Sequence, residues 1–305
     1  MSAIDALLAE IGPRWALDIR AHSQAVKDAY EPLLTRAPKA GIAVERDISY
    51  GPHPRQRLDV FRPERASGAP VVAFVHGGAF VRGDKRTSDE IYDNVLYWFA
   101  RQGWVGIDIE YRLAPEARHP AGAEDVRDAL EWVAANVGAH GGDAKRLLLI
   151  GHSAGGTHAA SYVFDPAVAR GEVRASALVL VSARLRADRL VSNPNAEGVA
   201  AYYGANASLD EVQAPMHHAA SSALPTFVCM AEFENPWLDA YALEFAHRLA
   251  LARGRAPPLL QVPGHNHMSI IAHFNTADET LGRAILAFFD AVVAASRAES
   301  PTGRG

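Results

Sequence analysis

The sequence predicts an α/β fold, a mostly parallel sheet with helices on both faces. Three observations carry this. Strand-like and helix-like stretches alternate from about residue 56 to near the end, the pattern of parallel strands joined by crossover helices. Residues 71–75 (Val-Val-Ala-Phe-Val) form a short unbroken apolar run, as a strand covered on both faces requires. The chain has 305 residues, 49% of them hydrophobic and 21% charged, so it can bury a full core and is neither disordered nor collagen-like.

The elements follow in order. Residues 2–38 read as one or two helices, with Leu7, Leu8, Ile11, Trp15 and Ile19 near helical spacing and Pro13 and Pro32 as punctuation. Residues 56–62 alternate as a strand, and 63–70 form a turn before the strand 71–75. A helix over about 88–102, a strand at 105–110, a helix at 123–137 and a strand at 147–150 come next. A helix after Gly155 leads to a strand at 177–181. Residues 184–224 break the rhythm, and their Tyr202-Tyr203 pair favours a lid over a linker. A strand at 226–230, a helix at 237–253, a strand at 259–262 and a helix at 276–295 complete the chain. In such sheets the active site lies beyond the carboxyl ends of the strands.

Composition narrows the function. Thirty Lys and Arg against 35 Asp and Glu give a net charge of −5, a poor match for nucleic acid or an anionic membrane surface. The single cysteine, Cys229, excludes an internal disulfide and a multi-cysteine zinc site. No His/Cys/Asp cluster has metal-ligand spacing, so neither a metal nor another cofactor is expected. The first twenty residues are interrupted by Asp5, Glu10, Arg14 and Asp18, unlike a secretory signal, and no apolar stretch reaches membrane-span length. A cytoplasmic protein acting on a small molecule is expected; a homodimer is left open.

Two motifs carry chemistry. Gly151-His152-Ser153-Ala154-Gly155 follows one predicted strand and opens a helix. This is G-x-S-x-G in the strand–turn–helix context that exposes a nucleophilic serine. His76-Gly77-Gly78-Ala79-Phe80 follows the strand 71–75. Acyl transfer builds negative charge on a former carbonyl oxygen, and small residues let backbone N–H groups approach it. Gly77, Gly78 and Ala154, the residue after the serine, are the candidate donors.

The serine needs a base, and the base an orienting acid, in the chain order serine, acid, histidine. After the last strand comes Gly264-His265-Asn266-His267-Met268; His267 is favoured because His265 lies too close to the strand end. After residues 226–230 come Glu232, Glu234 and Asp239. Glu234, in the loop between strand and helix, is favoured as the acid, with Asp239 and Glu232 as alternatives.

These residues resemble the hormone-sensitive-lipase-like esterases of the α/β-hydrolase superfamily, over nearly all of residues 45–295. Tyr111-Arg112-Leu113-Ala114-Pro115-Glu116, His119-Pro120-Ala121 and Glu124-Asp125 match a stretch typical of that family. Ala231-Glu232-Phe233-Glu234 is similar to the family's Ala-Glu-Phe-Asp segment, whose fourth residue is the catalytic acid, so the resemblance carries that role to Glu234. It implies a serine triad, an oxyanion hole from the His-Gly-Gly turn and a helical N-terminal cap. The chain then divides into a cap segment at 1–45 and a catalytic domain at 46–305, with the insertion at 184–224. Three positions depart from the family: Ala79 stands for its usual Gly, His152 for Asp and Glu234 for Asp. The first two, with Gly83-Asp84-Lys85, also resemble arylformamidases and small carboxylesterases.

The expected function is hydrolysis of short-chain or small aryl esters through Ser153, His267 and Glu234. Amide, formamide or carbamate hydrolysis by the same groups is the alternative. A non-catalytic ligand-binding member is the remote one, since such proteins generally lack a triad residue. Phe80, Met268, Tyr202 and Tyr203, with the stripe Leu7, Leu8, Ile11 and Trp15, suggest a roofed apolar pocket with few charges.

Overall fold

A computed structural model describes residues 2–299. Eight strands form one sheet: β1 (Ile42–Ser49), β2 (Arg57–Pro63), β3 (Ala69–Val75), β4 (Val105–Ile109), β5 (Gly142–His152), β6 (Ala177–Val181), β7 (Thr226–Phe233) and β8 (Leu259–Asn266). Their order is β1-β2-β4-β3-β5-β6-β7-β8. The β1–β2 and β2–β4 pairs are antiparallel; every later pair is parallel. The helices are α1 (Ala3–Ile11), α2 (Ile19–Thr35), α3 (Asp93–Arg101), α4 (Ala121–Asn136), α5 (Ala154–Phe164), α6 (Pro166–Ala169), α7 (Ala196–Tyr203), α8 (Asp210–Gln213), α9 (Leu238–Arg253), α10 (Ser269–Ala272) and α11 (Thr280–Glu299).

Alternation along the central strands builds two core layers. On β3, Val72 and Phe74 face one layer with Leu148, Ile150, Val179 and Val181; Val71, Ala73 and Val75 face the other with Leu147, Leu149, Leu178 and Leu180. The first layer is closed by α1, α2, α3 and α11, through Leu8, Tyr30, Phe99, Ile285 and Phe289. The second is closed by α4, α5 and α9, through Leu130, Tyr162, Phe245 and Leu249. Both faces of β3, of β6 and of β5 from Leu147 onward are buried, which explains why these stretches are apolar runs.

Several elements depart from expectation. Strand β1 was not expected. It is an edge strand with partly exposed residues, and a bulge between Glu45 and Ile48, with Asp47 at φ 55°, breaks the alternation that would mark it. Strand β8 continues past Pro263 to Asn266, so His265 lies within it. Helix α11 starts at Thr280 rather than at 276; before it, the Asp278 carboxylate accepts the Thr280 N–H at 3.0 Å in a local turn. Pro32 lies inside α2 and does not end it. The insertion at 184–224 is less irregular than its sequence suggests: it holds α7, α8 and two short 3₁₀ turns.

Candidate active site

The carboxyl ends of β3, β5, β7 and β8 converge on one edge of the sheet. Strand β5 stops at His152, and Ser153 turns the chain into α5 with φ 55° and ψ −120°. A left-handed φ on a residue with a Cβ is strained and survives only where neighbours enforce it. Here Ser153 N–H donates to Val181 O at 3.0 Å, and Arg184 N–H donates to Ser153 O at 3.2 Å. The flanking glycines are steric requirements. A Cβ on Gly151 would lie 2.6 Å from Gly155 O, and one on Gly155 would lie 2.2 Å from Val75 O.

Ser153 Oγ lies 3.0 Å from His267 Nε2, and His267 Nδ1 lies 2.8 Å from Glu234 Oε2. The structure thus brings together the three residues singled out as nucleophile, base and acid. Glu234 is fixed on its other oxygen, which accepts the Ala231 N–H at 2.8 Å and the Ser182 hydroxyl. The competing residues are elsewhere. Glu232 is exposed and accepts the Gly264 N–H at 2.7 Å. Asp239 is exposed at the start of α9, against the Ala240 N–H. His265 is hydrogen-bonded to Ser269 Oγ and Asp278 Oδ2, both at 3.0 Å.

The turn after β3 abuts the serine. A Cβ on Gly77 would come 3.0 Å from Ser153 Cβ and 3.3 Å from the Tyr92 hydroxyl, so only glycine lets this backbone approach. Gly78 has φ 149°, and a Cβ there would sit 1.9 Å from Arg82 O. Beneath the turn, His76 is fully buried, with Nε2 2.9 Å from Glu110 Oε1 and its ring stacked on Tyr111 at 4.4 Å. Burial would raise the Glu110 pKa, but His76 and Arg55 outweigh it and bring it down to about 2.

His152 is buried beside His267. Burial, reinforced by the nearby His267, holds its pKa well below the ordinary histidine value, so the ring is neutral. Its Nε2–H donates to the His267 carbonyl at 3.0 Å. The buried ring thereby fixes the backbone at His267.

The open site is a cleft of about 690 Å³ that includes Ser153, His267, Met268, Gly77 and Gly78. Phe80, Tyr202 and Tyr203 do not line it, contrary to the expected pocket. They form a buried cluster with Ala154 and Val199, Phe80 stacking on Tyr202 at 4.6 Å and Tyr203 set edge-on to Tyr202 at 5.0 Å. Large rings gain more by closing on one another, with His158 packed edge-on to Tyr202 and His119 stacked on Tyr203, than by facing water. Nor is the cleft free of charge. Arg20 and Lys27 on α2, and Arg82 after the glycine turn, line it together with Gln24, Thr87 and Asn195. Leu8, Ile11 and Trp15 are buried in the core instead. Sequence reading missed Tyr92, Asn235 and Ser182. Only Asn235, next to Glu234, carried any local signal. A second cavity of about 650 Å³, between α1, α2 and the end of β8, does not include Ser153.

Residues 58–165 match the BD-FAE family model. Over 113 residues the chain is 42% identical to Esterase LipC of Mycobacterium tuberculosis, covering 36% of this chain and 27% of that protein. It is 29% identical over 241 residues to Esterase LipQ of the same organism, covering 72% of this chain and 56% of that one. The matches thus span from about a quarter to just over half of these curated relatives. The crystal structure of esterase B from Lactobacillus rhamnosis superposes with a TM-score of 0.74 at 20% identity, covering 97% of this chain and 98% of that one. Among the described residues no helix is long and apolar enough to cross a membrane.

Proposed function

We infer, from its esterase-like motifs and its likeness to esterases, that this chain is a serine hydrolase cleaving short-chain or small aryl carboxylic esters. The observation that carries the reading is the hydrogen-bonded run Ser153–His267–Glu234 facing a glycine turn. Ser153 Oγ attacks the ester carbonyl while His267 Nε2 accepts its proton. Glu234 holds the imidazole tautomer through Nδ1 and stabilises the imidazolium. The N–H groups of Gly77, Gly78 and Ala154 receive the developing oxyanion. His267 then protonates the leaving alkoxide, the acyl-enzyme forms, and a water activated by the same histidine releases the acid.

In this reading residues 1–45 act as a cap on a catalytic domain of residues 46–305, and residues 184–224 as a lid. The cleft volume supports small esters over long-chain triglycerides. Each methylene adds at most ~0.8 kcal/mol, so selectivity among short chains should be shallow until the cleft ends. The test is kcat/KM across p-nitrophenyl esters from acetyl to dodecanoyl, with formanilide as the amide comparison. A maximum among the shortest acyl chains is expected. A maximum at decanoyl or beyond, or a preference for formanilide, would contradict this choice of substrate.

A further inference from the structure

The chain carries more acid than base, yet its cleft is lined the other way. Arg20, Lys27 and Arg82 reach it, and among the described residues no Asp or Glu does. The arrangement is built rather than scattered. Arg20, Ser23, Gln24 and Lys27 stand at i, i+3, i+4 and i+7 of α2, so one polar stripe of the helix faces the cleft. Arg82 projects from the loop that follows the candidate oxyanion turn, and its guanidinium donates to Asn195 Oδ1 of the insertion at 2.8 Å. Lys27 Nζ approaches the Thr87 hydroxyl at 3.4 Å. None of the three cations forms an ion pair among the described residues. The acids closest in sequence to Lys27 are engaged: Asp28 accepts from the Gln24 amide at 2.8 Å, and Glu31 accepts from the Ser88 hydroxyl at 2.6 Å.

Like charges facing one space are held there against their own repulsion. Burial lowers the Lys27 pKa, and the charge on Arg82 lowers it further, despite Asp28 and Glu31. An anion between the two would relieve that repulsion. An Asn-steadied guanidinium facing an ammonium across a cleft suits a carboxylate, which takes a fork from one side and a point charge from the other.

We propose that the preferred substrates are short esters bearing a free carboxylate, held by Lys27 and Arg82 while the ester carbonyl lies at Ser153. This rests on the esterase reading above and adds a substrate class to it. Hydrolysis of a dicarboxylic monoester then adds water across the ester C–O bond: hydroxyl to the acyl carbon, proton to the departing alcohol. The product is a dicarboxylate, and no co-reactant is needed.

The experiment compares monomethyl glutarate with dimethyl glutarate, the same skeleton with and without the charge. A second pair, 4-acetoxybutanoate and its methyl ester, puts the carboxylate on the alcohol side and so tells which half of the ester the cations hold. The expected result is a kcat/KM about tenfold or more in favour of the anionic member of at least one pair, the effect of two partly exposed ion contacts. That ratio should fall towards one in Lys27→Gln/Arg82→Gln, and should persist in Arg174→Gln, whose exposed ion pair with Glu131 is remote from the cleft. In the unmutated chain, raising salt from about 0.02 to 0.5 M should lower kcat/KM for the anionic ester far more than for the neutral one. That salt comparison holds even if the double variant folds poorly. Faster turnover of both neutral esters, with salt indifference, would overturn the inference and leave the esterase reading standing. No Ser153-dependent turnover of any of the four esters or of p-nitrophenyl acetate would overturn the esterase reading itself.

Discussion

The indole Nε1–H of Trp15 donates to Asn235 Oδ1 at 2.9 Å, joining residues 220 positions apart. Trp15 is buried in the 3₁₀ turn between α1 and α2, and Asn235 directly follows Glu234. The N-terminal segment therefore does more than cover the sheet. It ties down the loop that carries the carboxylate beside His267.

Trp15→Phe keeps most of the ring's packing and removes that donor, leaving a buried carbonyl oxygen on Asn235 unpaired. The expected cost is about 1–3 kcal/mol of stability. Because the slack falls on the Glu234 loop, kcat should also fall while KM for a small ester changes little. Denaturant unfolding and steady-state kinetics on p-nitrophenyl acetate check both. A variant that loses stability but keeps full kcat would show that the tie is structural only.

Replacing Glu234 by Gln keeps its size and removes the charge that favours the imidazolium. A loss of about 10⁴ in kcat is expected. Asp239→Asn and Glu232→Gln should each remain within a few-fold of the unmutated chain, since both carboxylates are exposed and bonded to other backbone N–H groups. Side-by-side kinetics would reassign the acid if the order were reversed.

Much of this was legible beforehand, for identifiable reasons. The central strands announce themselves because both faces are buried, leaving short runs that are almost wholly apolar, such as 71–75, 147–150 and 177–181. Ser153, His267 and Glu234 each follow a strand in this fold's chain order, so position and residue type coincide. What stayed hidden depends on contacts between distant segments. Strand β1 hides behind its bulge. Tyr202 and Tyr203 looked like pocket walls because aromatic content says nothing of direction, and they turned inward onto Phe80. The cationic stripe on α2 could not be read as cleft lining until the helix was placed against the glycine turn.

Ala79 sits at φ 51°, in the left-handed region that favours glycine, directly after Gly78. Left-handed geometry costs a residue with a Cβ roughly 1–2 kcal/mol, partly offset by the greater freedom of glycine in the unfolded chain. Ala79→Gly should therefore stabilise the protein by about 0.5–1 kcal/mol. The check is a higher urea midpoint at unchanged m-value. A lower midpoint would mean that packing of the methyl group outweighs the backbone strain.

Stability should decline on acidification in two overlapping stages. His158 and His273 are buried, and burial lowers their pKa values to about 3 and about 4. An unfolded histidine titrates near ~6.5, so protons favour the unfolded chain as pH falls below that value, until the folded rings titrate in turn. Glu110, brought down to about 2, adds a further loss below the ordinary carboxylate range near ~4.3. The buried Asp108 and Asp93, whose pKa values burial raises, act in the opposite sense, so the net decline is smaller than the lowered groups alone would give. Urea unfolding between about pH 7.5 and 4 should show the first stage, and His158→Phe should reduce its slope. A stability independent of pH over that range would contradict it.

The most direct test of the central claim is covalent labelling with a fluorophosphonate, followed by peptide mass spectrometry and matched against residual hydrolysis of p-nitrophenyl acetate. One adduct per chain is expected, on Ser153, with activity lost in proportion, and neither labelling nor turnover in Ser153→Ala. An adduct on another residue that tracks the loss of activity, or full turnover by Ser153→Ala, would contradict it.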